Sequence, residues 1–271
     1  MEAPKSKFQT VSSYDCLLFD LDDTLYSPAL GIAEDCRKNI DEFLMKKCGL
    51  VREKATKLRA ELFLTYGSSL AGLRTLGYDV DADDYHSNVH GPLPYQVIKP
   101  DPKLRAVLQS ITQRKLVFTN SDRAHAMKVL MRLNLEDCFE QIICFESLNP
   151  HISMSREVPV VLKPSKEAMQ IAIKLAQADP HKTLFFDDGG RNISAGKACG
   201  LVTVQVGGSA DARGADYTIE SIHDLQQTIP QIWVNYNKKE ITQDILTRDR
   251  RALAHTGSQI NLTIAPSPVE A

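Results

Sequence analysis

The sequence predicts an α/β protein with a doubly wound parallel sheet and an inserted all-helical cap. Three observations lead to this fold class. Short apolar runs of β type alternate with helical patterns along the 271-residue chain. Several of these runs end directly in polar residues, as strands do at the ligand-binding edge of an open α/β sheet. Roughly 95 residues separate Asp20 from Lys115 in the next run, whereas such connections usually have about 2–6 residues.

The β-type runs are short and mostly apolar. They are residues 16–19, 115–119, 141–145, 183–186 and 201–206. Strands that are covered by helices on both faces of a sheet have this pattern, whereas half-exposed strands alternate apolar and polar residues. Helical patterns at 124–135 and 165–178 lie between later runs, and residues 225–234, which hold the only Trp, predict a last helix. The alternation indicates parallel strands that are joined by crossover helices.

The long interval after the first run predicts a domain of its own. Its helical patterns are residues 32–47, 54–64, 70–76 and 82–89. The return to the sheet is rich in proline, which ends helices and favours linkers. We therefore expect a core at 11–27 and 99–235, a helical cap at 28–98, and a flexible tail at 240–271, where the sequence is charged and then rich in Ser and Pro.

The composition argues against two classes of partner. The formal net charge is -2 and no long basic block occurs, so binding of nucleic acid through its phosphates is not expected. No segment is apolar over a bilayer-spanning length, and the first residues lack a secretory signal. We therefore expect no membrane partner and a cytoplasmic location, with the nucleus as the alternative. Six dispersed cysteines without a Cys-x-x-Cys pair predict reduced packing residues.

Polar side chains stand at four places where an apolar run ends or a helix begins. These residues are Asp20, Asp22, Thr119, Asn120, Lys163, Asp187 and Asp188. Each group has a structural alternative, because such residues also cap helices, form turns or lie on the solvated surface. Their shared placement at strand ends favours one site instead. Clustered carboxylates repel one another unless a cation neutralises them, so the sequence predicts a divalent metal.

In this order, the four groups resemble the motifs of the haloacid dehalogenase superfamily. The Asp-x-Asp-x-Thr of residues 20–24 is similar to the first motif, and a strand-end Thr, a Lys beside a helix and a strand-end acidic pair follow. The resemblance covers residues 14–210 and implies a Rossmann-like core with a phosphatase site. It implies that Asp20 is the nucleophile. Asp22 would be a carboxylic acid that protonates the leaving group and then, as a carboxylate, activates water.

The resemblance also implies the ligands of the metal and of the phosphate. Mg²⁺ would be held by Asp20, the backbone carbonyl of Asp22, Asp187 and Asp188. The phosphate would be bound by the Thr119 hydroxyl, the Asn120 backbone N–H and Lys163, which opens a helix with Pro164 at or near the first helical position.

Four segments are similar to the pyrimidine 5′-nucleotidase branch of fungi and plants. They are residues 19–26, 89–95, 117–122 and 162–165. This resemblance implies a Mg²⁺-dependent phosphomonoesterase that acts on a small phosphorylated metabolite, a pyrimidine nucleoside monophosphate. Sugar phosphates, phosphoglycolate and pyridoxal phosphate remain alternative substrates, and a non-catalytic interaction protein of the same fold remains an alternative function. Gly189 and Gly190 depart from the Ser and bulkier residue of the branch, and we expect them to loosen the turn.

The cap is expected to select the substrate because it can close over the site. Candidates for contacts with a base or sugar are Tyr26, Tyr66, Arg74, His86, His90 and Tyr95. His86 and His90 are four residues apart and share a helix face, which would allow a zinc site. No acidic third ligand stands at a suitable spacing, so a packing or solvated role is favoured.

Overall fold

The protein contains a six-stranded parallel sheet, which confirms the predicted fold class. A computed structural model describes residues 13–152, 158–208 and 214–233; the predicted tail at 240–271 lies outside the described residues. The strand order is β3-β2-β1-β4-β5-β6. The strands are β1 (Cys16–Phe19), β2 (Arg114–Phe118), β3 (Gln141–Ile143), β4 (Thr183–Asp187), β5 (Val202–Val206) and β6 (Tyr217–Ile219).

The register of the three central strands brings their carboxyl ends to one edge of the sheet. Phe19, the last residue of β1, pairs with Val117 of β2 and Phe186 of β4. The Asp20 backbone N–H donates to the Phe186 carbonyl over 2.8 Å, so the ladder continues one residue past β1. The residues that follow β1 and β2, and the last residue of β4, therefore lie side by side.

Helices cover both faces of the sheet and bury two apolar clusters. Because strand side chains alternate faces, Phe19 joins one cluster and Leu18 joins the other. The rings of Phe19 and Phe186 stack with centroids 4.4 Å apart. The helices outside the cap are α5 (Pro102–Ser110), α6 (Arg123–Leu133), α7 (Phe145–Leu148), α8 (Lys166–Ala176), α9 (Gly190–Ala198) and α10 (Leu225–Thr228).

Four of the five α-helices between β1 and β2, a stretch that is described throughout, precede the return to the sheet and form one helical segment. They are α1 (Ile32–Cys48), α2 (Arg52–Tyr66), α3 (Ser69–Thr75) and α4 (Ala82–Val89). All four lie within two residues of their predicted bounds at each end. Buried Leu44, Leu62 and Leu73 pack these helices together. We call this helical segment the cap; its assignment to residues 28–98 as a domain remains a prediction.

Proline sets a boundary of two elements. Helix α5 begins at Pro102, the last residue of the segment predicted as a linker, and the Asp101 carboxylate accepts from the Lys103 and Leu104 N–H groups. The predicted helix over 225–234 ends at Thr228, because Pro230 cannot continue the hydrogen-bonding pattern, and a 3₁₀ turn follows. The sequence reading also missed α9 and the three-residue β6.

Two further observations concern the composition. All six cysteines carry free thiols, and three of them, Cys16, Cys138 and Cys144, are buried. Among the described helices, none combines the length and the apolar character that a membrane crossing requires.

Candidate active site

Three of the predicted acids meet at the carboxyl edge of the sheet. Carboxylate oxygens of Asp20, Asp187 and Asp188 all lie within 4.8 Å of one another. Asp20 is 7% exposed and Asp187 is fully buried, since they stand at the ends of adjacent central strands. An all-oxygen donor set of this kind suits a hard divalent cation such as Mg²⁺. The residues present therefore fit the metal that the sequence predicts.

Lys163 is the buried cation of this cluster. Its Nζ donates to Asp20 Oδ1 over 2.6 Å, to Asp187 Oδ2 over 2.7 Å and to the Phe118 carbonyl over 2.8 Å. Burial lowers the pKa of Lys163, but the two carboxylates raise it by more, so the pKa lies above its ordinary value. The ammonium group therefore stays charged and draws two strand ends together.

The backbone around Lys163 is fixed by Asn120. The Asn120 Nδ2 donates to the Lys163 carbonyl over 2.9 Å, and the Lys163 N–H donates to Asn120 Oδ1 over 2.8 Å. These two hydrogen bonds hold the lysine backbone against the end of β2.

Pro164 lies near the first position of the helix that follows Lys163, as predicted, but not at it. Helix α8 begins at Lys166 with Ser165 as its N-cap, so Pro164 precedes the cap and is not the first helical residue.

Among the described residues, Lys163 is the cation paired with these acids, and its single positive charge does not neutralise three carboxylates. Burial raises the pKa of Asp20 well above its ordinary value, and Asp187 and Asp188 add to this effect against Lys163. Burial, followed by the charges of Asp187 and Asp23, raises the pKa of Asp188 to about 7. An added divalent cation would stabilise the ionised form of both groups.

The loop after β4 is tightly packed, contrary to the expectation of a loosened turn. The Gly189 N–H and the Asn192 Nδ2 each donate to Asp187 Oδ1 over 2.8 Å. A Cβ at Gly189 would lie 3.0 Å from the Asn192 amide nitrogen and 3.1 Å from the Asp187 oxygen. Gln205 on β5 supports the same loop, since its Nε2 donates to the Asp188 carbonyl. Glycine thus permits a close approach that holds Asp187 in place.

Asp22 faces a different set of partners from the other acids. Its carboxylate accepts from the Tyr26 hydroxyl over 2.6 Å and the Ser121 hydroxyl over 2.8 Å, and His125 Nε2 lies 2.7 Å from Oδ1. Burial raises the pKa of Asp22, but the charge and hydrogen bond of His125 lower it by more, so the net pKa is well below the ordinary value. The Asp22 side chain is therefore a carboxylate in this arrangement.

The sequence interpretation missed His125, whose Nε2 faces Asp22. Burial lowers the pKa of His125, but Asp22 and Asp122 together raise it by more, so the net pKa lies above the ordinary value. The Asp22 carboxylate thus stabilises the protonated form of the imidazole beside it. A sequence signal existed, because His125 lies in the first turn of α6 and follows directly from the Thr119 segment at the end of β2.

Two histidines of the cap, His86 and His90, form a row of rings that ends at His125. The parallel rings of His86 and His90 have centroids 5.5 Å apart, and the His90 ring lies 4.5 Å from that of His125. His90 Nδ1 pairs with Asp122 Oδ1. Asp122 also caps α6, because its Oδ2 accepts from the His125 N–H over 3.2 Å. The structure thus places His86 and His90 on one helix face, as predicted, and gives His90 an acidic partner in the core.

We expect His86 to make the folded protein sensitive to acid. Burial, together with His90, lowers the pKa of His86 from 6.5 to about 4. Between these values the unfolded chain binds a proton that the folded chain does not. The free energy of unfolding should therefore fall by about 2–3 kcal/mol as pH drops from 6.5 to 4.

The His86→Phe variant should lose this part of the pH dependence, since Phe retains the ring contact with Phe145. Urea unfolding at several pH values measures it. Replacing the exposed His151 by Gln serves as the control and should leave the profile unchanged. An identical slope in wild type and His86→Phe would contradict the assignment.

A cavity of about 540 Å³ extends from Asp22 into the cap. The core contributes Asn120, Ser121 and His125 to its lining, and the cap helices contribute largely apolar residues. Of the six predicted substrate contacts, Tyr26, His86 and His90 line the cavity, whereas Tyr66, Arg74 and Tyr95 do not. The Tyr95 hydroxyl instead lies 2.9 Å from His125 Nδ1.

A parallel sheet with a helical segment after its first strand, and an acidic cluster around a buried lysine at its carboxyl edge, are typical of one class of hydrolases. The chain belongs to the haloacid dehalogenase-like hydrolase family, whose sequence model matches residues 14–200. Among individual proteins, it is similar to Phosphate metabolism protein 8 of Saccharomyces cerevisiae, with 26% identity over 192 residues. That match covers 68% of this chain and 58% of the yeast protein, so it spans little more than half of the relative's length.

Solved structures of bacterial and archaeal proteins share the fold. CbbY from Rhodobacter sphaeroides, in complex with phosphate, matches with a TM-score of 0.55 and 17% identity, over 78% of this chain and 96% of CbbY. A phosphatase of this superfamily from Thermococcus onnurineus matches with a TM-score of 0.54 and 16% identity, over 79% of this chain and 96% of that protein. At 16% and 17% identity, these similarities show a shared fold and nothing further.

Proposed function

We propose that this protein is a Mg²⁺-dependent phosphomonoesterase that acts through an aspartyl-phosphate on Asp20. The observation that carries the proposal is the meeting of Asp20, Asp187 and Asp188 around the Lys163 ammonium, with the Asp22–His125 pair two residues beyond the nucleophile. Attack on a phosphoryl group is opposed mainly by charge, and this arrangement supplies positive charge and a proton where they are needed.

Asp20, Asp187, Asp188 and the backbone carbonyl of Asp22 would hold the metal. The carboxylate of Asp22 is hydrogen-bonded to Tyr26, Ser121 and His125, so its backbone carbonyl oxygen is the atom that would bind the metal. When bound, Mg²⁺ would supply the positive charge that lets an anionic carboxylate approach an anionic phosphate.

In the first half-reaction, an Asp20 oxygen forms a bond to phosphorus as the ester oxygen leaves. The leaving oxygen takes the one proton of the Asp22–His125 pair, which passes from His125 Nε2 by way of the Asp22 carboxylate and leaves a neutral His125. The Thr119 hydroxyl accepts from the Ser121 N–H over 3.0 Å, so its own hydrogen is free to reach a phosphoryl oxygen. Lys163 and the Asn120 N–H would hold the remaining negative charge.

In the second half-reaction, water attacks the phosphorus of the aspartyl-phosphate and releases phosphate. As the bond between Asp20 and phosphorus breaks, the Asp22 carboxylate takes a proton from that water and passes it to His125, and Asp20 regains its carboxylate. Asp22 thus serves both steps because His125 gives up a proton in the first and takes one back in the second.

We propose that the substrate is a pyrimidine nucleoside monophosphate. The four similar segments support this, as does a cavity of about 540 Å³ that begins at Asp22 and carries the rings of Tyr26, His86 and His90. This volume lies in the usual range of about 300–1,000 Å³ for small-ligand sites. Sugar phosphates, phosphoglycolate and pyridoxal phosphate are the alternatives, and we place the protein in the cytoplasm or the nucleus.

The full chain should release phosphate from p-nitrophenyl phosphate with Mg²⁺, and EDTA and beryllium fluoride should each stop the reaction. In a panel of phosphorylated metabolites, we expect kcat/KM for UMP or CMP to exceed that for the alternatives by about 10-fold or more. Preference for another ester would correct the substrate alone. If the chain hydrolysed none of the esters with Mg²⁺, the result would support the non-catalytic alternative.

A further inference from the structure

Arg59 of helix α2 lines the same cavity as Asp22 but was not among the predicted substrate contacts. Its side chain is 17% exposed. The residues beside it in the lining include the apolar Ile40, Ala60 and Phe63. Among the described residues no Arg59 nitrogen is both buried and without a partner, so donors that make no bond within the protein stay accessible to water or to a ligand.

The contacts of Arg59 fix it in place while using little of its donor capacity. Its Nε donates to Asp41 Oδ1 over 2.6 Å, and the other Asp41 oxygen accepts from the Thr56 hydroxyl over 2.7 Å. Asp41 is buried on α1, so the pair joins two cap helices. Within the described parts of the chain, no hydrogen bond engages the two terminal nitrogens of Arg59. Four N–H donors thus remain for another acceptor.

Arg37 differs from Arg59, although it lines the cavity too. Its Nε and Nη2 donate to Glu34 on the same helix over 3.2 and 2.9 Å, and its side chain is 49% exposed. Because Arg37 is paired and hydrated, it has little to gain from a ligand. Arg59 is held by Asp41 and is less exposed than Arg37, and a donor that is fixed in place can discriminate between ligands.

We propose that Arg59 determines specificity by donating hydrogen bonds to an oxygen acceptor, a carbonyl or a carboxylate, on the leaving group of the substrate. The inference rests on the proposed function, which places the phosphate at Asp20 and the leaving group in the cavity. The planar fork of a guanidinium fits such acceptors better than a single ammonium does. In a pyrimidine nucleotide the acceptor is a base carbonyl, and in phosphoglycolate it is the carboxylate.

Binding measurements on the full chain with Asp20→Asn as background test this role without turnover. Calorimetry in Mg²⁺ compares UMP, CMP and phosphoglycolate with phenyl phosphate, whose leaving group has no further acceptor. Adding Arg59→Lys, which retains a positive charge for Asp41, should lower the affinity for the tightest-binding ligand that carries an acceptor by about 10- to 100-fold. The affinity for phenyl phosphate should change by less than about twofold. Arg37→Lys should change neither affinity.

A second variant separates specificity from cap stability. Asp41→Asn with Arg59→Gln removes both charges and retains polar groups that can bond each other, and cooperative thermal unfolding verifies that it folds. It should show the same selective loss.

The proposal would be overturned if the Arg59 variants lost affinity equally for phenyl phosphate and for the acceptor-bearing ligands. It would also be overturned if they bound all of these ligands as tightly as the Asp20→Asn chain does. It would also fail if no acceptor-bearing ligand bound the Asp20→Asn chain more tightly than phenyl phosphate. Failure of the proposed function is distinct: the unsubstituted chain would then hydrolyse no ester with Mg²⁺, whatever the binding results.

Discussion

The Asp20→Asn variant is expected to lose phosphate release by about 10⁴-fold or more, because an amide cannot form the aspartyl-phosphate. The fold should persist. Asn has the same shape as Asp, and Lys163 retains Asp187 as a buried partner at 2.7 Å. The combination of lost activity and retained folding is the signature of a nucleophile rather than of a structural residue.

Phosphate release with Mg²⁺ and thermal unfolding together measure this result. Asp15→Asn is the matched control, since Asp15 is exposed just before the opposite end of β1 and should tolerate the change with full activity. Activity of Asp20→Asn within tenfold of wild type would refute the assignment of Asp20 as the nucleophile.

The Lys163→Met variant is expected to lose both activity and stability. Removal of one preorganised charge contact should lower kcat by about 10²-fold or more. Loss of the ammonium group also leaves Asp20 and Asp187 buried without their shared partner. Breaking a buried pair in this way costs about 3–5 kcal/mol, so the free energy of unfolding without Mg²⁺ should fall by that amount.

Mg²⁺ should restore part of the lost stability, because a cation among the carboxylates replaces some of the missing positive charge. The rise in melting temperature on adding Mg²⁺ should therefore be larger in Lys163→Met than in wild type. Lys166→Met is the control, since Lys166 is exposed at the start of α8. A Lys163→Met protein with wild-type stability and rate would show that the ammonium group holds neither the strands nor the phosphate.

The acid and base chemistry depends on two residues that the sequence reading treated separately or not at all. Asp22 alone would be a poor acid, because its hydrogen bonds lower its pKa far below the ordinary value. In the proposed mechanism, His125 at 2.7 Å carries the proton of the pair, so the carboxylate itself stays ionised in the resting site. The cap contributes to this arrangement, since His90 pairs with Asp122, which caps the helix that carries His125.

The sequence by itself determined the fold class and the edge at which the site lies. The short apolar runs, alternating with helical patterns, predicted strands that are covered on both faces, and parallel strands bring the polar residues that follow them to one edge of the sheet. This reasoning predicted one site from Asp20, Thr119, Lys163 and the acidic pair, and the structure brings Asp20, Lys163, Asp187 and Asp188 together. It works because local sequence pattern controls which segments form strands and where each strand ends.

Only the tertiary structure decided which side chains meet. Asn120 and Lys163 are 43 residues apart, yet their hydrogen bonds fix the lysine backbone, and His125 reaches Asp22 across 103 residues. Arg37 and Arg59 look alike in the sequence, but one pairs with its own helix and the other with the buried Asp41. Such choices depend on strand register and helix packing, which bring distant segments within 3 Å and are not encoded in the spacing of residues along the chain.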